Sequence, residues 1–296
     1  MIVIVTLNPA LQVSYAAQQV RVGMANPVSQ VSYRAGGGGL AVARVLHTFG
    51  HEVVATGLAG GAAGELIRAE LSRSGIATQF TQIALESRRD LQVADSSAAT
   101  VTSFTEPAPY ITTEELGRLA ADFRGLMDGA TAVVLCGSLP AGLPPETYGS
   151  LASYAAEAGV PAVLDAGGSA LWHAAARRPA LAVPRGTAAE PAALVARGAR
   201  AAVAASDDDI RVVTASGQWR AWLPARDTGG RRLSGPEQLH DALVAGFVPG
   251  IALGWSWPDA LRHAVALVAA VRPAGDVDLG CYEALLSDVQ VERPAR

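Results

Sequence analysis

Three uninterrupted apolar runs constrain the fold most: MIVIVTL at 1–7, AVVLCG at 132–137 and PAVLDA at 161–166. None alternates apolar with polar residues, so each needs cover on both faces, as parallel strands between two helical layers have. The segment between the last two, PPETYGSLASYAAEAG, has helical spacing, which predicts a strand–helix–strand unit. LAVARVLHTFG and GELIRAELSRSG read as helices stopped by Gly50 and Gly75. TTEELGRLAADFRGLM opens with Thr112 or Thr113 as N-cap and glutamates in its first turn. HEVVATGLAG, ATQFTQI, RRDLQVAD and ATVTSF read as strands, SQVSYRA as an edge strand, and DIRVVTA with WRAWLPA as a strand pair. LHDALVAGFVPGIALG and WPDALRHAVALVAAV are two successive helical patterns. This alternation predicts an α/β sandwich with right-handed crossovers in one domain over 1–296.

Half of the chain is apolar and 17% is charged, enough for a sizeable core. A net charge of −4 gives no general attraction to nucleic acid or an anionic membrane. No stretch reaches the roughly 18 apolar residues of a membrane span. MIVIVTLNP lacks the basic flank of a signal peptide, and Cys136 and Cys281 have no metal-ligand spacing, so a cytoplasmic protein with reduced thiols is expected. All 23 basic residues are arginine. No step can therefore use a lysine ammonium, for which arginine is no equivalent at a tight phosphate site.

Ligands of open α/β sheets sit beyond the carboxyl ends of strands. TLNPA (6–10), AGGGG (35–39), CGSLPAG (136–142) and LDAGG (164–168) fall there, and QLHDALVAGF places Asp241 where a late helix is expected to begin. An aspartate at that place is either a base or a carboxylate that suits the helix dipole. Asp207, Asp208 and Asp209 form a solvated turn or, less simply, a metal-binding cluster.

In order, TLNPAL, AGGGGLAVARVL, ATGLAGGAAGELIRAEL, FTEPAP, CGSLPAGLPPETY and HDALVAGF resemble the motifs of ribokinase-like (PfkB) carbohydrate kinases. The branch most similar contains the 1-phosphofructokinases and tagatose-6-phosphate kinases, which read TLNPA-x-D, AGGKG-x-NVA, NEPGP, GSLP and GAGD. The resemblance implies a three-layer α/β/α sandwich with a mostly parallel sheet and a small β lid, here within 11–35 and 85–105. It implies transfer of the ATP γ-phosphoryl group to a sugar or sugar-phosphate hydroxyl, assisted by Mg²⁺, and a homodimer through the lid strands. Asp241 falls on the catalytic aspartate. Gln12, Gly37, Gly38, Gly39, Arg89 and Ser138 fall on substrate-binding positions, and Arg185 and His240 on the nucleotide side; no residue is assigned to a metal.

The departures from the family pattern are as informative. Gln238, Leu239 and His240 stand where Gly-Ala-Gly would form an anion hole. Val183, Pro184, Arg185 and Ala188 stand for the marked residues of KPN-x-x-E, with Glu190 two positions late, and ASDDDI replaces the nucleotide loop S-x-G-x-x-G. Gln12 replaces an aspartate, Gly38 a lysine and Ala41 an asparagine. Losing one oxyanion donor costs about 10²–10³ in rate. Three readings follow: a kinase of weak or lost activity, a pseudokinase with a binding, regulatory or scaffolding role, and a reaction in the old sugar pocket that uses no nucleotide.

Overall fold

The computed structural model describes residues 1–186, 189–224, 233, 237–272 and 275–294; Ala188 and Ala225 lie outside them. The apolar runs become β1 (Ile2–Thr6), β8 (Ala132–Cys136) and β9 (Ala162–Ala166) of one sheet. With β4 (Val53–Ala59), β5 (Ala77–Gln82), β10 (Leu181–Pro184) and β11 (Ala201–Ala205) they run parallel in the order β5-β4-β1-β8-β9-β10-β11. The antiparallel strands β12 (Ile210–Thr214), β13 (Gly217–Trp222) and β14 (Gln290–Glu292) extend the far edge.

Strand alternation divides the core. Ile2 and Ile4 of β1 face a layer of α1 (Gly38–Thr48), α2 (Gly61–Arg73), α7 (Glu237–Leu253), α8 (Trp257–Ala270) and α9 (Leu279–Leu286). Val3 and Val5 face α3 (Thr113–Leu126), α4 (Thr147–Glu157), α5 (Gly168–Ala175) and α6 (Pro191–Arg197). This is the three-layer α/β/α sandwich with a mostly parallel sheet that the sequence predicts. The N-cap of α3 is Thr112: it accepts from the Glu115 amide, and Glu115 returns a bond to the Thr112 amide at 2.8 Å. Among the described residues no helix is long and apolar enough to cross a membrane.

A separate sheet, ordered β3-β2-β6-β7, comprises β2 (Ala10–Ala17), β3 (Gln30–Gly36), β6 (Arg88–Asp95) and β7 (Thr100–Thr105). The register aligns Arg34, Gln12 and Asp90 across one face and Tyr33, Val13, Leu91 and Phe104 across the other.

Candidate active site

The four glycines at 36–39 are each demanded by something different. Gly37 is the N-cap of α1 at φ +112°, a conformation L side chains rarely adopt. The others are short of space. A Cβ on Gly36 would stand 2.5 Å from Gln12 Cγ, and one on Gly39 would press on Thr6 Cβ at 3.1 Å and Cys136 Cβ at 3.4 Å. Gly39 thus faces the sheet, letting α1 lie close to β1 and β8. A Cβ on Gly38 would meet Arg185 Nη2 at 2.5 Å and Asp241 Oδ1 at 2.8 Å.

That last contact leads into a buried ionic cluster at the carboxyl ends of β8, β9 and β10. Asp165, wholly buried near the end of β9, receives Arg185 Nε on Oδ1 at 3.2 Å and Arg185 Nη2 on Oδ2 at 2.6 Å. His240 Nε2 lies 2.7 Å from Oδ1 and Cys136 Sγ 2.7 Å from Oδ2. An ionised carboxylate only accepts, so both of these atoms carry the hydrogen. Arg185 follows β10 directly, its amide bonded to the Ala166 carbonyl at 2.9 Å, and its Nη2 also reaches Asp241 Oδ1 at 2.7 Å.

The electrostatics separate the two aspartates. Burial works to raise Asp165, but the His240 and Arg185 bonds prevail and hold it at about 2. Burial pushes Asp241 up to about 6, against the pull of the same guanidinium. Burial also opposes the charge of Arg185, yet Asp165, bonded to it, and Asp241 hold it above its ordinary value. Cys136 is pushed well up by burial and by Asp165, so it is a proton donor here and no nucleophile.

Helix α7 corrects one expectation. Its described part begins at Glu237, so Asp241 stands one turn inside it. The helical pattern then directs the Asp241 amide to the Glu237 carbonyl, and Gln238, Leu239 and His240 occupy the first turn.

Two clefts flank the cluster. The first, of about 360 Å³, has Gln12, Arg34, Gly37, Gly38, Gln238 and Asp241 among its walls. The second, of about 550 Å³, is lined by Val183, Pro184, Gly186, Glu190, Val203, Leu243 and His240 among others. Asp241 and Gly37–Gly38 therefore meet Gln12 in one cleft, His240 lines the other, and Arg185 is bonded to Asp241 of the first. Ser138 stands beyond β8 and accepts from Asn8 Nδ2 at 3.1 Å. Arg89 lies elsewhere: alternation along β6 turns it to the face opposite Gln12, where it is exposed and paired with Glu106 at 2.8 Å.

The solvated turn expected at Asp207–Asp209 holds for Asp207 and Asp208, which are exposed, and is corrected at Asp209. Asp209 is buried, accepting from Arg211 Nη2 at 3.0 Å and from Arg220 Nε. Among the described residues no group of three or more His, Cys, Asp or Glu side chains is placed to hold a metal. Asp165 escaped the sequence reading as a site residue although a signal was present. A lone carboxylate in a strand covered on both faces has to find a cation.

Comparison with known proteins agrees with this architecture. A Staphylococcus aureus structure provisionally assigned as a phosphofructokinase superimposes with a TM-score of 0.83 at 24% identity, over 99% of this chain and 98% of that one. A Thermotoga maritima structure provisionally assigned as a 1-phosphofructokinase gives 0.79 at 21% identity, covering 99% of each chain. Escherichia coli phosphofructokinase-2 in complex with fructose-6-phosphate gives 0.81 at 21%, over 97% of this chain and 98% of that one. These likenesses establish a ribokinase-like fold. Residues 10–210 match the pfkB family carbohydrate kinase profile, and the chain belongs to that family.

Proposed function

We propose that this chain is a cytoplasmic sugar-phosphate kinase of low turnover, a single domain over 1–296 with the β3-β2-β6-β7 sheet as its lid. The observation that carries this reading is Asp241, a buried carboxylate that opens on the cleft beside the glycine loop and Gln12. With its proton affinity raised to about 6, it is ionised at neutral pH and still basic enough to take a hydroxyl proton. In this reading Oδ2 takes the proton, since Oδ1 is engaged by Arg185. Gln12 hydrogen-bonds the acceptor's hydroxyls, while Gly37 and Gly38 permit close backbone approach. Arg34, on the Gln12 face of the lid, is better placed for the acceptor's phosphate than Arg89, which has to leave Glu106 first. Ser138 borders the acceptor side; Arg185 and His240 divide it from the nucleotide side.

A divalent ion would neutralise phosphate charge in such a reaction. The described residues do not fit one held by the protein, because Asp165 and Asp241 already bracket a guanidinium. Mg·ATP accordingly enters only as a cosubstrate in the test. Incubation with Mg·ATP and either fructose 1-phosphate or tagatose 6-phosphate is expected to give slow, saturable ADP release. Asp241→Asn is expected to lower kcat by about 10²–10⁴. Turnover unchanged by that substitution refutes the assignment.

A second reading, a pseudokinase, is favoured by one observation: α7 has begun by Glu237, so the Asp241 amide serves the helix and Gln238, Leu239 and His240 carry side chains beside the first-turn amides. It predicts a higher Tm with sugar phosphate and none with Mg·ATP, since only a ligand of the native state stabilises it. In both readings the lid pairs two copies. Tyr33 and Phe104 lie 54% and 59% exposed in an apolar row across the sheet. Light scattering should find a dimer that Phe104→Asp dissociates.

A further inference from the structure

We infer that Arg185 is the positioning residue for Asp241, and that glycine at 38 is the space this guanidinium needs. The inference rests on the assignment of Asp241 as base and concerns what aims it. Gly38 has no positive φ, so its backbone makes no demand for glycine. The demand is spatial, since its Cβ direction ends on the Arg185 Nη2–Asp241 Oδ1 bond. A side chain from 38 and the guanidinium from 185 thus compete for one volume, and this chain has settled the competition in favour of the arginine.

Arg185 is well suited to hold a carboxylate still. Its Nε and Nη2 are forked onto Asp165, which is itself fixed by His240 and Cys136. The same Nη2 then pins Asp241 Oδ1 and leaves Oδ2 for the cleft. Each carboxylate sits on a different element, β9 or α7, so one side chain just after β10 sets the height of the helix residue above the sheet. A lysine at 185 would offer a point charge in place of the fork. The charged and titratable groups around Asp241 are Asp165 on β9, with Cys136 on β8 behind it, Arg185 after β10, and His240 on α7 itself. Glu237, Arg34, Arg44 and Asp276 line the same cleft.

The test follows the Asp241 carboxyl by carbon NMR as pH is varied, in the full chain and in Arg185→Gln and Gly38→Ala. Removing the guanidinium should raise the Asp241 midpoint by roughly 1–3 units, the usual effect of an arginine beside an aspartate. Gly38→Ala leaves Arg185 in the chain but displaces Nη2, so it should move the midpoint in the same direction by less. It also decides the matter if Arg185→Gln does not fold. A double-mutant cycle supplies the second readout: the drop in Tm caused by Gly38→Ala should disappear in the Arg185→Gln background. An unmoved midpoint in a folded variant, or an equal Gly38→Ala penalty in both backgrounds, overturns the inference. Neither readout needs turnover, so a failed kinase assay rejects the proposed activity and leaves the coupling standing. Turnover with an unmoved midpoint does the reverse.

Discussion

Asp165 and Asp209 are both nearly inaccessible carboxylates held by arginine, yet one is joined through Arg185 to the cleft residue Asp241 and the other closes a turn. The difference lies in the cations. Arg185 is three-quarters covered and shared between two carboxylates, whereas Arg211 and Arg220 are 50% and 37% exposed and converge on one. Around Asp209, water can take over whatever the carboxylate gives up. Around Asp165, the donors Arg185, His240 and Cys136 have few other acceptors, so the cluster is rigid enough to orient a reactive group. Identical ion-pair chemistry thus serves a turn in one region and a site in the other, and burial of the cation decides which.

The largest effect should come from removing Asp165. Asp165→Ala leaves a mostly buried guanidinium with Asp241 alone, and a loss of about 3–5 kcal/mol in denaturant unfolding is expected. A loss below 1 kcal/mol would erase the distinction from Asp209. Acid comes next. Asp165 titrates lower in the folded chain than in the unfolded one, so its stabilisation is complete above about pH 4 and fades as pH falls through about 2. The loss should reach about 2 kcal/mol and be absent in a folded Asp165 variant. Asp209→Asn should cost less, about 1–2 kcal/mol, because its arginines remain solvated. One further effect has the opposite sign. Asp241 binds its proton more tightly when folded, so its contribution is favourable below about pH 4 and is lost as pH rises through about 6. Asp241→Asn should therefore gain up to about 3 kcal/mol of stability relative to the parent between pH 4 and pH 8, a base kept at a cost to stability.

Legibility in the sequence followed how locally each feature is encoded. β1, β8 and β9 could be read because β-branched and apolar runs have few other uses in a chain of this composition. The capping box at Thr112 and Glu115 could be read because its bonds span three residues. β11 could not: AAVAA is helix-forming in isolation, and only its place between β10 and β12 makes it a strand. Neither α5 nor α9 was legible, each having only eight residues and resting on tertiary packing. Within the site, Asp241 and the glycine run were visible as residues, but their reasons were not. Nothing local to 36–39 says that Gly38 yields to an arginine 147 positions later.

The sequence by itself determined the layer architecture, the family and the identities of the groups at each strand end, because those rest on hydrophobic period and on motifs in order. Tertiary structure alone decided which charges meet. It turned Arg89 away from Gln12 through strand register, began α7 a turn before Asp241, and brought Arg185 between Asp165 and Asp241. These charges are held in one arrangement because burial leaves them little solvent to turn to, and that condition exists only in the folded molecule.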